Sequence, residues 1–367
     1  MSKYQYDNKH LPFGHSRAID DKEVLEFIDS LSINLTTVLS DHNYVWQFCN
    51  EYIEWIKSNT LHTIVGLDDF KHVVFSQGTS EGFDKFYLKN SKRRFRCFRG
   101  EYLYHKLAWR DSYDWAYIED DALRTGDAVV ISMPFADTGS AHFVMDDILN
   151  RCTELDIPVL LDCAYFSISK GLRFDFSYPC ITDVTFSLSK VFPVAHARIG
   201  IRLTREDCDD LLFVYDKAEY TNRISPVLGL ELIRNFSPEY IVNKYSTKQE
   251  EICKYLNVCP SNTVLFGLAD SGNYTEYNRG GLTNRLGLHN FLNKDITFLQ
   301  GLTFYIMGGC ISNVIILLIL DWTDRNGGLT KRFNPTIEQM VWGLIAWPVT
   351  AWIFWYNFWK AWFDGKR

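Results

Sequence analysis

Four short runs dominated by apolar residues mark the first part of the chain: His72–Phe75, Ala128–Ser132, Val159–Asp162 and Asp183–Ser187. Each has the length of a strand, and their near-continuous apolar character predicts strands covered on both faces. Between them lie amphipathic stretches of helical length, such as Ser80–Asn90 and Met145–Leu155. That alternation predicts parallel β-α-β units, hence an α/β fold with a mostly parallel central sheet flanked by helices.

The pattern changes near residue 297. Thr303–Leu320 and Met340–Tyr356 contain no charged residue, and the second run carries Trp342, Trp347, Trp352 and Trp355. Each approaches the roughly 20 residues that cross a bilayer core, and clustered Trp suits the membrane interface. This predicts a transmembrane helical hairpin within residues 297–359, its loop marked by Gly327, Gly328 and Pro335. Two buried helices of an apolar C-terminal lobe are the alternative. Basic residues at the outer ends (Arg285, Lys294, Lys360, Lys366, Arg367) outnumber those of the loop (Arg325, Lys331, Arg332), which predicts a membrane-anchored protein with its globular part in the cytoplasm. That part divides into an N-terminal segment (1–45), a large domain (46–202) and a compact small domain (203–293), with a small α+β character expected in the last.

Charge and cysteine content narrow the function classes. A net charge of -7 over 367 residues argues against a general nucleic-acid binder, which needs a basic face. Arg93, Arg94 and Arg96 form the densest basic run and are expected on a solvated surface. The nine cysteines stand singly, without C-x-x-C pairs or zinc-type Cys/His spacing, so neither a disulfide framework nor a metal site is indicated. The N-terminus is polar and lacks the apolar stretch of a signal peptide.

Three places carry candidate chemistry. Ser76-Gln77-Gly78-Thr79-Ser80 follows a predicted strand and opens a predicted helix, where free N–H groups and the helix dipole favour a phosphate. The same residues satisfy G-x-S-x-G, so Ser80 also reads as a hydrolase nucleophile with Asp162 and His289 as partners. Asp162 ends a buried strand, where parallel sheets bind ligands, and a carboxylate there suits a pyridine nitrogen. Lys190 follows a second strand through Ser187-Leu-Ser189, with Arg198 eight residues on. A desolvated lysine attacks aldehydes, and an arginine clamps phosphate.

Taken in order, these pieces resemble the fold type I enzymes that use pyridoxal 5'-phosphate (PLP), specifically the class I/II aminotransferases of the histidinol-phosphate aminotransferase-like branch. The resemblance runs from residue 12 to about 290. Pro12-Phe13-Gly14 is similar to the entry motif P-Y-G, and Gly78-Thr79-Ser80 to the phosphate loop. Glu101-Tyr102 resembles the segment whose aromatic residue stacks on the pyridine ring. Asp162-Cys-Ala-Tyr165 resembles D-x-A-Y, Ser187-Leu-Ser189-Lys190 resembles S-x-S-K, and Arg198-Ile-Gly200 resembles R-x-G. The 28 residues from Asp162 to Lys190 are usual for the family. Asn284-Arg-Leu-Gly-Leu288 is similar to the segment whose arginine binds the substrate carboxylate.

The resemblance implies the aspartate aminotransferase-like fold, a homodimer, and PLP held as a Schiff base on Lys190. Asp162 is then expected at the ring nitrogen, Tyr165 at the ring oxygen, and Gly78, Thr79, Ser80, Ser187, Ser189 and Arg198 around the cofactor. Gly14 and Arg285 are expected at the substrate. The implied reaction transfers an amino group between an amino acid or amine and a 2-oxo acid. Decarboxylase, lyase or acyl-CoA condensing chemistry would use the same residues, and a degenerate membrane-anchored binding module is a further alternative. The chain departs from the family at Met133-Pro-Phe-Ala136-Asp137-Thr-Gly139, where Ala136 stands in place of the asparagine that bonds the ring oxygen. Tyr165 is left to that oxygen alone, or with help from Asp137.

Overall fold

The computed structural model describes residues 11–14 and 16–293. The apolar runs 303–320 and 340–356 lie outside these residues, and no helix among the described residues is long and apolar enough to cross a membrane.

Three helices open the chain: α1 (Lys22–Ser30), α2 (Leu35–Ser40) and α3 (Asn43–Lys57). In α3 the large apolar residues fall at Val45, Phe48, Tyr52, Trp55 and Ile56, one helical face, and all are buried. The sheet strands and crossover helices follow as β1 (Thr63–Val65), β2 (His72–Gln77), α4 (Thr79–Lys89), β3 (Arg94–Cys97), α5 (Leu103–Trp109), β4 (Trp115–Tyr117) and β5 (Asp127–Ser132). Then come α6 (Met145–Glu154), β6 (Val159–Asp162), β7 (Arg173–Asp175), β8 (Ile181–Ser187) and β9 (Ile199–Thr204). The remainder holds α7 (Leu211–Lys217), α8 (Ile224–Asn235), α9 (Tyr240–Leu256), β10 (Cys259–Pro260), β11 (Phe266–Ala269), β12 (Asn284–Gly287) and α10 (His289–Leu292).

The central sheet has seven strands in the order β2-β9-β8-β6-β5-β3-β4. All of its parallel pairs lie from β8 to β4, while β9 runs antiparallel to both β2 and β8. The expected fold class, α/β with a mostly parallel central sheet, is what forms. The run Val159–Asp162 is buried at every position, as a strand covered on both faces requires. Insertion of β9 demands a small residue at its second position: a Cβ on Gly200 would lie 2.7 Å from the carbonyl oxygen of Phe186 on β8 and 3.0 Å from Gly78 beyond β2.

A second sheet, β10-β11-β12, is antiparallel throughout. Gln249 on α9 holds its approach by donating to the carbonyls of Ser261, Thr263 and Phe266 at 3.0, 3.0 and 2.8 Å. The N-terminal segment is stitched to this sheet. Gly287 N donates to Phe13 O at 2.8 Å, and the Phe13 ring stacks on Phe291 with centroids 4.9 Å apart.

One expectation fails here. Arg94 and Arg96 are not a solvated surface: Arg96 is fully buried and donates to Asp127 Oδ2 at 2.7 Å, while Arg94 Nε donates to Asp127 Oδ1 at 2.9 Å. Both lie on β3, next to β5 in the sheet, so the carboxylate at the start of β5 draws them inward. A buried guanidinium is tolerable only when paired in this way.

Candidate active site

Because β2, β3, β5, β6 and β8 share one direction, the residues that follow them emerge at one edge of the sheet. Antiparallel β9 begins at that same edge, so Arg198, immediately before it, joins them. The edge therefore collects Gly78, Glu101, Tyr102, Ser132, Asp162, Lys190 and Arg198 from widely separated parts of the chain.

At the end of β2, Gly78 has φ +73° and leads directly into α4. The first N–H groups of that helix are exposed to whatever lies before it. Arg198, itself in the left-handed region at φ 55°, crosses over this turn. Its Nη2 donates to Gln77 O at 3.1 Å and to Ser80 Oγ at 2.9 Å. A Cβ on Gly78 would lie 2.8 Å from Arg198 Cζ and would push the guanidinium aside, and the backbone at φ +73° itself favours glycine. The result is a cradle of helix N–H groups, a hydroxyl and a guanidinium, the donor set that suits a phosphate. We expect Gly78→Ala to raise the Kd of inorganic phosphate or PLP by about tenfold or more, through strain and displacement of Arg198. An unchanged Kd in a binding titration would show that the anion lies elsewhere.

Asp162 ends β6 and is buried, its Oδ1 accepting from Ala164 N at 3.1 Å. Burial pushes its pKa up to about 7, and the nearby Glu101 carboxylate adds to the rise. The Ala164 amide, the Lys190 ammonium and a hydrogen bond from Thr79 only partly offset this. Glu101 is buried as well and raised by that burial, despite accepting from Ser132 N at 2.9 Å and Tyr102 N at 2.8 Å. Two neighbouring carboxyls that resist ionisation make this edge ready for a cation.

Lys190 follows a turn built by Ser187, whose hydroxyl donates to Ile199 O at 2.9 Å, lies 2.9 Å from Ser189 Oγ and accepts from Ser189 N at 3.2 Å. Lys190 Nζ donates to Ser16 O at 2.6 Å and stands 5.8 Å from the centroid of the Tyr165 ring. The Tyr165 and Ser16 hydroxyls share a hydrogen bond of 3.0 Å. Burial alone would raise the Tyr165 phenol, but Lys190, Arg285, the Ser16 bond and Arg279 together pull it below its ordinary value.

Beside these groups a cavity of about 130 Å³ is lined by Phe13, Gly14, Tyr102, Leu103, Tyr277, Arg279 and Arg285. Arg279 Nη1 donates to Ala136 O at 2.8 Å, and Arg285 Nη1 donates to the same oxygen. The Arg285 guanidinium also lies 4.3 Å from the centroid of the Phe266 ring. Burial, and next the charge of Arg279, bring its pKa down to about 10.

No family model and no curated protein matches the chain. Solved structures do. A PLP-bound C-S lyase from Staphylococcus hominis matches with a TM-score of 0.56 and 12% identity, covering 78% of this chain and 90% of that one. Tyrosine aminotransferase from Leishmania infantum matches with a TM-score of 0.54 and 14% identity, over 80% and 97% of the two chains. An aromatic aminotransferase from Pyrococcus horikoshii OT3 gives 0.52 and 12%, over 76% and 91%. The fold is the aspartate aminotransferase-like fold of PLP enzymes.

Within this aminotransferase-like fold, the candidates read from sequence gather at one edge: Gly78, Thr79, Ser80 and Arg198 form the cradle, while Asp162, Tyr165 and Lys190 stand beside it. Ser187 and Ser189 serve the turn that presents Lys190. Gly14, Tyr102 and Arg285 line the adjoining cavity. Ser80 is not an elbow nucleophile, because its hydroxyl accepts from Arg198 and the strained position is Gly78 rather than the serine. Asp137 does not join Tyr165. It is buried between loops, its Oδ2 accepting from Thr283 at 3.2 Å, and a Cβ on Gly100 would lie 2.8 Å from its own Cβ. Sequence reasoning missed Ser16, the carboxyl role of Glu101, and Arg279. Ser16 and Arg279 sit in irregular loops with no motif, and only the Gly280-Gly281 pair after Arg279 marks a turn there.

Proposed function

We propose that the protein is a PLP-dependent aminotransferase, moving an amino group between an amino acid or amine and a 2-oxo acid. The observation that carries this reading is the convergence of an amine (Lys190), a buried carboxyl (Asp162) and an anion cradle (Gly78, Ser80, Arg198) after β8, β6 and β2. The residues fit the cofactor, since a Cβ at position 78 would fill the space in which the Arg198 guanidinium crosses the turn. Aminotransferases and a C-S lyase among the structural neighbours support the same reading.

When bound, PLP supplies an aldehyde that condenses with amines and a ring that accepts the electrons of a broken α-carbon bond. Arg198, Ser80 and the N–H groups opening α4 hold its phosphate. Asp162, costly to ionise alone, would hold the cofactor's ring nitrogen in its protonated form and be stabilised as a carboxylate by that charge. The acidified Tyr165 hydroxyl would serve the cofactor's phenolic oxygen, and Tyr102, on the cavity wall, would offer an aromatic surface to the ring. Lys190 Nζ carries the proton to and from the substrate α-carbon. Arg285 takes the substrate carboxylate, and the aromatic cavity wall excludes water.

Added PLP is expected to give the full-length protein a visible absorption band, which borohydride abolishes while fixing the cofactor mass on a peptide containing Lys190. Single amino acids are then expected to release one 2-oxo acid per site without free ammonia, whereas a lyase would release ammonia. A protein that takes no colour from PLP overturns the reading.

We also propose that runs 303–320 and 340–356 anchor the protein in a membrane with residues 1–293 on the cytoplasmic side. The full chain should then sediment with membranes through a high-salt wash and enter solution with detergent. Recovery in the soluble fraction without detergent overturns the anchor.

A further inference from the structure

We propose that Ser16 is a cofactor-binding residue: its hydroxyl, together with that of Tyr165, would hold the phenolic oxygen of PLP, while its carbonyl fixes the approach of Lys190. This rests on the aminotransferase reading and adds a contact at the same site.

Ser16 meets the amine and the phenol at once. Its carbonyl accepts from Lys190 Nζ at 2.6 Å, and its hydroxyl shares a hydrogen bond of 3.0 Å with that of Tyr165. Those two partners follow the neighbouring strands β8 and β6, and the N-terminal segment reaches both of them. PLP carries its aldehyde and its phenolic oxygen on adjacent ring carbons. The amine that meets the aldehyde therefore lies beside whatever meets that oxygen, and a residue bonded to Lys190 on one side and Tyr165 on the other sits at that corner. Hydroxyl protons rotate, so both hydroxyls can turn onto a third oxygen, which has lone pairs for more than one donor. Ala136 brings no side-chain donor, and Asp137 is turned to Thr283.

The main chain holds Ser16 in place from both sides. Before it, Phe13 O accepts from Gly287 N at 2.8 Å and Pro12 O from Asn290 Nδ2 at 3.2 Å. After it, Ala18 and Ile19 are buried, and Asp20 N donates to Asn293 Oδ1 at 2.9 Å. The buried Asp21 carboxylate accepts from Tyr245 at 2.7 Å and pairs with Lys244 at 2.8 Å. A serine on a loose segment would lose more entropy on meeting a ligand than one hydrogen bond returns. One tied at both flanks has already lost most of that freedom, so its contact adds affinity.

The charges around this corner do not depend on the hydroxyl. Burial raises the Tyr165 phenol, while Lys190, Arg285, the Ser16 bond and Arg279 together pull it down, and Asp162 acts on Lys190. Ser16→Ala leaves every one of these charged groups in place and keeps the carbonyl that meets Lys190.

The test uses the full-length protein and reads the bound cofactor, not its turnover. A donor on the phenolic oxygen draws charge from it and loosens its hold on a proton shared with the nitrogen of the Lys190 linkage. The pH midpoint of the visible band should therefore rise in S16A by about half a unit to one unit, and S16T, which keeps the hydroxyl, should stay within about 0.2 of wild type. Affinity gives a second readout. S16A should weaken PLP binding about five- to tenfold, yet leave within about twofold the Kd of the PLP analogue that carries hydrogen in place of the phenolic hydroxyl. The inference is overturned if S16A keeps the wild-type midpoint. It is overturned equally if S16A weakens PLP and the analogue by the same factor, which is the mark of a packing role. A wild type that takes no colour from PLP defeats the aminotransferase reading and this contact with it, whereas colour in the wild type with S16A unaltered defeats the contact alone.

Discussion

Replacing Lys190 with alanine is expected to lower amine transfer by roughly 10⁴-fold or more, with the protein still folded. The size of the effect follows from two tasks falling on one nitrogen, condensation with the aldehyde and movement of the α-proton. No other described group at this edge replaces it: Ser189 is a neutral hydroxyl, and Arg198 is occupied with Ser80 and Gln77. The fold should survive because the removed group is partly exposed and its hydrogen bond ends on the Ser16 carbonyl, which water can satisfy. The turn itself is held by Ser187, not by the lysine. Single-turnover kinetics with the best amino acid, and an unfolding curve for each protein, check both halves. A small diffusible amine such as methylamine should restore part of the rate. A rate within tenfold of wild type would remove Lys190 from the centre of the chemistry.

Asp162→Asn is expected to act in opposite directions on stability and on turnover. In the protein without cofactor, Asp162 has a pKa of about 7 because of burial and the neighbouring Glu101. Unfolded, it returns to about 3.9. The folded state therefore binds the proton more tightly than the unfolded state, and stability falls as pH rises from about 4 through 7. Well above pH 7 the full cost of the buried carboxylate is present, on the order of 4 kcal/mol. Asparagine cannot ionise and escapes that cost. Denaturant unfolding at pH 8 should show the variant more stable by up to that amount, with the difference vanishing below about pH 4. With PLP bound, the same substitution should slow turnover by roughly a hundred- to a thousandfold, because the ring nitrogen loses its carboxylate. A variant less stable than wild type at pH 8, or equally active, would contradict the assignment of Asp162. Natural sites commonly trade stability for function in this way.

How much of the fold and the site was legible in the chain depends on whether the signal was local. The strand at Val159–Asp162 stands out because three apolar residues and a terminal carboxylate are contiguous, and such a run is buried wherever it falls inside a parallel sheet. Gly78, Lys190 and Arg198 were legible because each sits at a fixed offset from a strand end. By contrast, the burial of Arg96 depends on Asp127 and on Asp121, which reach it only when β3 and β5 pair. Asp137 looked available to Tyr165 until the loops carrying Gly100 and Thr283 closed around it.

By itself the sequence determined the alternation of buried strands and helices and the ordered residues Gly78, Asp162, Lys190 and Arg198, since these lie in short segments whose chemistry and periodicity are local. Only the tertiary structure decided that β9 runs against its neighbours and so brings Arg198 to the edge where Gly78 turns. It also decided that Ser16 meets Lys190 across 174 positions of chain, and that Arg279 and Arg285 share the carbonyl of Ala136. Contacts at such separations depend on how strands pair and loops close, and no local pattern of residues encodes them.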